Sequence, residues 1–361
     1  MEDLPVSNNF DVQSHRGAYS VFFNDALLSD LTDFVKEDYH FLVDANVARL
    51  YATELQTVLE HSNTIVVDAT EENKSIEKII PVIEKLVKNK IRRDHSLIAI
   101  GGGIIQDITC FIASTLLRGI PWRLVPTTLL AQADSCIGSK SSINLGATKN
   151  ILGTFNPPQN IIIDTGFIDT LEKKEIHSGV GEIIKVHAIE GIKAFDQLAI
   201  DFDRLFDDRT ILQKYIRSAL LIKQRFIEED EFDRGIRNIF NYGHSFGHAI
   251  ESATNYEIPH GIAVTIGMDM ANYIAVKRGL LPVIHYHRMH AIMAKNYEDY
   301  VSTSIPVKAM LSALMKDKKN TSTMLGLILP VGDDAVIQRI QVSPDEEFRL
   351  ECAQFFAEMS S

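Results

Sequence analysis

Residues 96–117, SLIAIGGGIIQDITCFIASTLL, constrain the fold more than any other stretch of the chain. SLIAIGGG (96–103) reads as a buried strand that runs into Gly101, Gly102 and Gly103, and IIQDITCFIASTLL (104–117) reads as an apolar helix. A strand that passes through glycines into a helix is the repeating unit of a parallel sheet covered by helices. HFLVDANV (40–47), NTIVVDA (63–69), WRLVPTT (122–128) and NIIIDT (160–165) supply further strands, and SIEKIIPVIEKLVKNK (75–90) has the apolar spacing of an amphipathic helix. After about residue 170 the pattern changes. LEKKEIHSGVGEIIKVHAI, TILQKYIRSALLIKQRFIEE and HGIAVTIGMDMANYIAVKRG are helical in period, and convincing strands are scarce. The expectation is an α/β N-terminal domain and a mainly α-helical C-terminal domain, joined without a Gly, Ser or Pro linker and packed around a cleft.

Composition narrows the function classes. The chain has 361 residues, 45% hydrophobic and 23% charged, enough to bury a sizeable core. Its net charge of −12 argues against a nucleic-acid partner, although an acidic protein can still carry a basic pocket. Three cysteines (Cys110, Cys136, Cys352) cannot build a disulfide framework, which points to a reducing compartment and a cytoplasmic location. The N-terminus MEDLPVSNNF lacks the basic and apolar regions of a signal peptide, and no apolar stretch is long enough for a membrane span.

Three constellations carry chemistry. The glycines at 101–103 open a helix, so their backbone amides suit either a phosphate or a plain tight turn. NYGHSFGHAIE (241–251) sets His244 and His248 four residues apart on one helical face, with His260 following and Glu182 earlier in GVGEIIK. These four could hold a divalent metal, or the histidines could be hydrogen-bonded core residues. HYHRMH (285–290) reads instead as a solvated helical face. Lys140, Lys149, Lys185, Lys223 and Arg237 lie in apolar or glycine-rich sequence, and with Asn150 and Asn241 they suit a substrate bearing a phosphate and a second anion. Each taken alone could equally be a snorkelling surface cation.

The ordered runs GGGIIQDITCFIASTLLRG, VPTTLLAQADSCIGSKSSIN, KNILG, SGVGEIIK, GIRNIFNYGHSFGHAIE and PHGIAVTIGM, with DKKN (317–320) beyond them, resemble the dehydroquinate synthase family of sugar phosphate cyclases. The resemblance implies a Rossmann-like NAD-binding domain over residues 1–169 and a helical metal- and substrate-binding domain over 170–361. It also implies a catalytic Zn or Co ion in the cleft and a homodimer. The metal ligands would be Glu182, His244 and His260, with His248 contacting substrate phosphate instead. Lys140, Asn150 and Asn241 would also hold the phosphate, and Arg118 would reach the neighbouring subunit's site. Lys223 and Arg237 would grip a carboxylate, Asp134 and Lys185 would contact the reacting hydroxyls, and Lys318 or Lys319 would enter the site. NAD contacts would come from Asp44, Glu71, Lys74, Gly102, Gly103, Asp107, Thr127, Thr128, Lys149 and Thr170.

The implied reaction converts 3-deoxy-arabino-heptulosonate 7-phosphate to 3-dehydroquinate. A substrate alcohol loses a hydride to NAD, phosphate is eliminated, the hydride returns, and the opened ring closes as a carbocycle. The chain departs from the family pattern at Gln106, Cys110 and Ser139, where glycine is usual, and at Asp233 and Ile262, where glutamate is usual. Asp233 counts with the substrate contacts because it keeps the charge. A cyclase for another sugar phosphate, and a metal- and NAD-dependent alcohol dehydrogenase that releases NADH, are the alternatives.

Overall fold

The computed structural model describes residues 9–31, 34–146, 148–316 and 324–359. Lys318 and Lys319 lie outside the described residues. The chain divides into two compact units, Met1–Leu171 with Lys223–Phe232, and Glu172–Ile222 with Asp233–Ser361. A single boundary at 169/170 does not capture the return of Lys223–Phe232 to the first unit.

The first unit is built on a seven-stranded sheet. Its strands are β1 (Phe10–Val12), β2 (Tyr19–Phe23), β3 (Tyr39–Asp44), β4 (Thr64–Val67), β5 (Ser96–Gly101), β6 (Trp122–Pro126) and β9 (Asn160–Ile163). The spatial order is β1-β2-β9-β6-β5-β3-β4, parallel throughout except for the β1–β2 pair. β3 and β5 are near-continuous apolar runs because a central parallel strand is covered on both faces. Phe41, Val43, Ile98, Ile100, Val125 and Phe167 pack into one core with Tyr51, Leu55 and Val58. Helices α1 (Ala45–Leu50), α2 (Gln56–Leu59), α3 (Ile76–Lys88) and α4 (Gly103–Thr115) connect the strands. The expected strand at 40–47 stops at Asp44, because the Asp44 carboxylate accepts the Asn46 N–H (2.8 Å) and caps α1.

The chain leaves β3 for β4 on one side and returns to β5 on the other. The carboxyl ends of β3 and β5 therefore flank a topological switch point, the place where open α/β sheets bind ligands. Gly102 and Gly103 stand there at the start of α4. The expected helix at 104–117 ends at Thr115. Leu117 and Arg118 follow with φ of 54° and 69°, left-handed for residues with a side chain, and Arg93 Nε donates to the Leu117 carbonyl (3.1 Å) across that turn. A hairpin of β7 (Lys140–Leu145) and β8 (Thr148–Phe155) completes the unit, turning at Gly146, where φ is +54°.

The second unit is helical: α5 (Lys173–Glu190), α6 (Ile192–Asp201), the part of α7 (Arg209–Glu229) before Lys223, α8 (His244–Ala253), α9 (His260–Lys277), α10 (Val283–Asn296), α11 (Val307–Met315) and α12 (Glu346–Met359). It also contains an antiparallel hairpin, β10 (Leu325–Val331) with β11 (Val336–Val342), where few strands were expected. Helix α9 is buried on every face from Gly261 to Ala275, so it is the central helix, and α5, α8, α10 and α12 pack around it.

Candidate active site

The glycines in the metal-like motifs explain how three helices meet. A side chain at Gly261 would put its Cβ 1.8 Å from the Ser178 carbonyl oxygen of α5, and one at Gly181 would meet the Gly261 oxygen at 2.2 Å. A Cβ at Gly267 would lie 2.2 Å from the Gly243 oxygen, and one at Gly247 would lie 3.0 Å from the Val264 Cα. Glycine at these positions lets α5 and α8 approach the backbone of α9. The adjacent residues, Glu182, His244 and His260, are carried to one place by that contact.

Glu182 is 1% exposed. Its Oε1 lies 3.8 Å from His244 Nε2 and 3.6 Å from His260 Nε2. Those separations exceed a hydrogen bond, yet all three atoms can share one ion with bonds of about 2.0–2.2 Å. The other atoms of the three groups are already engaged. Lys185 Nζ bonds Glu182 Oε2, and its ammonium also lies over the Phe240 ring (5.8 Å). Glu251 Oε2 takes His260 Nδ1 (3.1 Å), and the Tyr242 carbonyl takes His244 Nδ1 (3.3 Å). Each imidazole thus has its Nδ1 proton fixed by an acceptor, which leaves the Nε2 lone pair directed toward Glu182. That donor chemistry fits a divalent ion.

The ligand nitrogens of His244, His248 and His260 also lie within 4.8 Å of one another. Glu182 Oε1 is nearer than that to both His244 and His260, so distance admits either set. Charge favours Glu182 over His248, because a buried dication needs an anionic donor and His248 is exposed. The two histidines shift in opposite directions. Burial first, then the charges of Lys185, His260 and His248, hold His244 well below the ordinary histidine range. Burial also disfavours the protonated form of His260, but the Glu251 hydrogen bond and the Glu182 and Glu251 charges outweigh it, so its pKa is raised.

In the first unit, Gly102 and Gly103 open α4 with no side-chain cap. A Cβ at Gly102 would press on Thr128 Cγ2 (3.0 Å), whereas one at Gly103 would meet only Ser135 Oγ at 3.9 Å. Beside them, the Thr127 hydroxyl is buried with no hydrogen-bond partner among the described residues. An uncapped helix N-terminus, a bare backbone and an orphaned hydroxyl at the switch point fit a dinucleotide phosphate.

One turn along α4, Asp107 gathers the neighbouring residues. Its carboxylate accepts from Lys74 Nζ (3.0 Å), Ser142 N–H (2.9 Å) and Ser142 Oγ (3.0 Å). Burial raises its pKa against the opposing pull of Lys74. Lys74 also donates to Asn150 Oδ1 (2.9 Å), and Glu71 Oε1 accepts from Asn144 Nδ2 (2.8 Å). Lys223 Nζ pairs with Asp134 Oδ1 at 3.0 Å.

The other expected residues take the following places. Lys140 pairs in register with Phe155, while Asn150 bonds Asn144 Oδ1 through its N–H (2.8 Å). That offset of four residues is about 13 Å along a strand, so Lys140 and Asn150 are not cross-strand neighbours in the hairpin. Asn150 instead joins Lys74 and Asp107, among the expected cofactor residues. Thr170 Oγ1 bonds the Tyr51 hydroxyl (3.1 Å), and Asn241 Nδ2 bonds the Asn238 carbonyl (3.0 Å). Lys149 and Arg118 are exposed. Arg237 lies on the short 3₁₀ helix Ile236–Asn241 of the second unit, and Asp233 stands three residues before that helix. Three of the expected residues, Arg118, Asn150 and Asp233, hold left-handed φ values of 69°, 53° and 55°. Such strain persists where the surroundings over-determine a residue, and it collects at functional sites.

Sequence reasoning passed over Glu251, although it closes the quoted run GHAIE, and it passed over Ser135 and Asn144. A carboxylate three residues after His248 was the available signal for Glu251. In HYHRMH the solvated reading fails at His290, whose Nδ1 meets the buried Asp269 Oδ2 at 2.7 Å. A cavity of about 540 Å³ lined by Lys173, His177, Phe202, Phe206 and Lys295 contains none of the expected residues.

Residues 64–178 match the family model described as 3-dehydroquinate synthase N-terminal, and residues 179–320 match 3-dehydroquinate synthase C-terminal. The 3-dehydroquinate synthase of Alkaliphilus metalliredigens is 33% identical over 352 residues, covering 96% of this chain and 97% of that protein. The structure of ValA, a 2-epi-5-epi-valiolone synthase from Streptomyces hygroscopicus with NAD+ and Zn2+ bound, superposes with a TM-score of 0.81 at 26% identity, covering 95% of this chain and 96% of that one. A 2-deoxy-scyllo-inosose synthase complexed with carbaglucose-6-phosphate, NAD+ and Co2+ shares the fold, with a TM-score of 0.77 at 20% identity, covering 97% and 99%.

Proposed function

The chain belongs to the 3-dehydroquinate synthase family, and on that premise we propose that it is a sugar phosphate cyclase converting 3-deoxy-arabino-heptulosonate 7-phosphate to 3-dehydroquinate and phosphate. The observation that carries the reading is the Glu182–His244–His260 set, oriented by Glu251 and Tyr242, within a chain that matches both family domains. When bound, NAD would take a hydride from a substrate alcohol and return it later, and a Zn or Co ion would act as a Lewis acid on that oxygen.

The residues of the chain would do the rest. Glu182, His244 and His260 would hold the ion. Gly102, Gly103 and Thr127 would bind the dinucleotide phosphates, supported by Thr128 and by the Lys74–Asp107 group. Asp44, Glu71, Lys149 and Thr170 are assigned to the cofactor on the resemblance alone. Asp134, paired with Lys223, and Lys185, paired with Glu182, would orient the reacting hydroxyls. Lys140, Asn241 and His248 would hold the substrate phosphate. Arg237 would grip the carboxylate, a fork-shaped donor matched to that group. Much of the rate enhancement would then come from positioning and fixed charge. A homodimer with Arg118 entering the neighbouring site belongs to the same proposal, as does a cytoplasmic location. All three thiols are free and buried, which suits a reducing compartment.

The likeness to ValA favours one second reading, a cyclase acting on a sugar phosphate without a carboxylate. Arg237 argues for the carboxylate-bearing substrate. The test is phosphate release from 3-deoxy-arabino-heptulosonate 7-phosphate with NAD and Zn²⁺. Release that EDTA abolishes, with a carbocyclic product, supports the proposal. No release from folded, metal-loaded protein, with release from a neutral sugar phosphate, replaces it with the second reading.

A further inference from the structure

Gln106 sits in the first turns of α4, and its side chain is buried. It makes two bonds to a single neighbour. Its Nε2 donates to the Ser135 carbonyl (2.6 Å), and Ser135 Oγ donates to its Oε1 (2.9 Å). Ser135 closes the turn Ala131–Ser135, in which the Cys136 N–H reaches back five residues to the Ala131 oxygen (3.0 Å). A π turn of this kind is rare, gathers at functional sites, and persists where outside contacts hold it.

The two ends of the turn are held by different glutamines. Gln132 is fully buried, and its Nε2 donates to the carbonyls of Pro126 (3.0 Å) and Asp164 (2.9 Å). Gln106 holds the other end through Ser135. Asp134 lies between these anchors with its carboxylate on Lys223. A carboxamide offers a donor and an acceptor on neighbouring atoms of one planar group, which the reciprocal bond uses.

We propose that Gln106 is a positioning residue that acts through Ser135 to aim Asp134. The role rests on the cyclase reading, in which Asp134 meets the reacting hydroxyls. Gln106 touches Ser135 and not the substrate. It also ties the helix that begins at Gly103 to the turn that carries Asp134, so the cofactor-facing and hydroxyl-facing parts of this unit move as one.

The test compares Gln106→Met, Ser135→Ala and the double variant in the NAD- and Zn²⁺-loaded enzyme. Gln106→Met keeps the length and loses both bonds. Its kcat should fall about 10- to 100-fold, the cost of a roughly 1 Å misplacement. KM and NAD affinity should change less than about threefold, since neither ligand touches the amide. Ser135→Ala removes one bond of the two and should lose less. The double variant should be no slower than Gln106→Met, because the two side chains act as a unit. Wild-type kcat in Gln106→Met, a loss confined to KM or NAD affinity, or additive losses would each overturn the proposal.

Hydrogen exchange of the amides at 131–136 gives a readout free of any substrate. Gln106→Met should speed exchange there about tenfold or more, with little change elsewhere. If the wild-type enzyme fails to turn over the sugar phosphate, the functional reading fails, and this exchange still decides the positioning role. Unchanged exchange overturns it.

Discussion

Removing the Glu251 carboxylate should weaken metal binding without removing a ligand. Glu251 is joined to the set by one bond, from His260 Nδ1 to its Oε2 at 3.1 Å, and its side chain is 12% exposed. Losing a hydrogen bond to a charged group costs about 1.5–3 kcal/mol. Outer partners of metal-bound histidines are worth about 10- to 100-fold in affinity, or about 1.4–2.7 kcal/mol. The two ranges overlap, so Glu251→Ala should raise the Zn²⁺ dissociation constant about 10- to 100-fold. Glu251→Gln keeps a carbonyl acceptor for the same N–H and should lose less, about 2- to 10-fold. The assay is competition between apo-protein and a chromophoric chelator, which needs no turnover. Circular dichroism should show both variants folded, since Glu251 lies at the edge of the helix packing and not in its glycine contacts. A folded Glu251→Ala protein with wild-type Zn²⁺ affinity would refute the claim that Glu251 orients His260 for an ion.

The remaining predictions test the packing, the electrostatics and the substrate. Gly261→Ala should destabilise the second unit by about 1–3 kcal/mol or more and weaken metal binding with it, because its Cβ would fall 1.8 Å from a backbone oxygen; thermal unfolding and the chelator assay read both effects. His290 bonds the buried Asp269, which raises its pKa above the ordinary histidine value. A raised folded-state pKa gives stability that is full below the unfolded value and is lost as pH rises through the folded one. His290→Gln should therefore cost more stability at about pH 6 than at about pH 9, as read by denaturant midpoints, and an equal cost at both would contradict the pairing. Besides the more deeply buried Tyr242, two tyrosines stand by this pair: Tyr297, which bonds the same oxygen, and Tyr286, which stacks on His290. Burial raises the pKa of both, so they stay neutral across that window. Arg237→Ala should reduce kcat/KM for a carboxylate-bearing substrate about 10- to 150-fold, the range for a lost charge-assisted bond.

The sheet core was legible because β3 and β5 are fully covered strands, and coverage on both faces writes an unbroken apolar run into the sequence. The helices of the second unit were legible from their period. The hairpins were not. β7 is rich in Ser and Asn, weak strand formers, and its partner β8 is largely exposed, so neither carries an apolar signature. β10 is apolar throughout, and a run of that kind cannot be told from a buried helix by period. Among the expected site residues, the metal-like set and Lys74 with Asp107 came together in their own units. The metal-like set sits on helices fixed by close packing, and Asp107 on α4 draws in Lys74 from the turn before α3. That Asn150 joins Lys74 was not legible, because strand register, which depends on the Gly146 turn and the bulge near Asn144, is not written in residue spacing. Gln106 reads as a bare departure in the sequence, and only the turn it holds gives it a role.

The central claim is that NAD is used and restored within one turnover. Phosphate release and NADH absorbance should be followed together on 3-deoxy-arabino-heptulosonate 7-phosphate, with NAD far below the substrate concentration. Phosphate formed in many-fold excess over NAD, with no net NADH, is the result the account predicts. Phosphate limited to the amount of NAD, or NADH accumulating in step with substrate loss, would contradict it and identify a dehydrogenase.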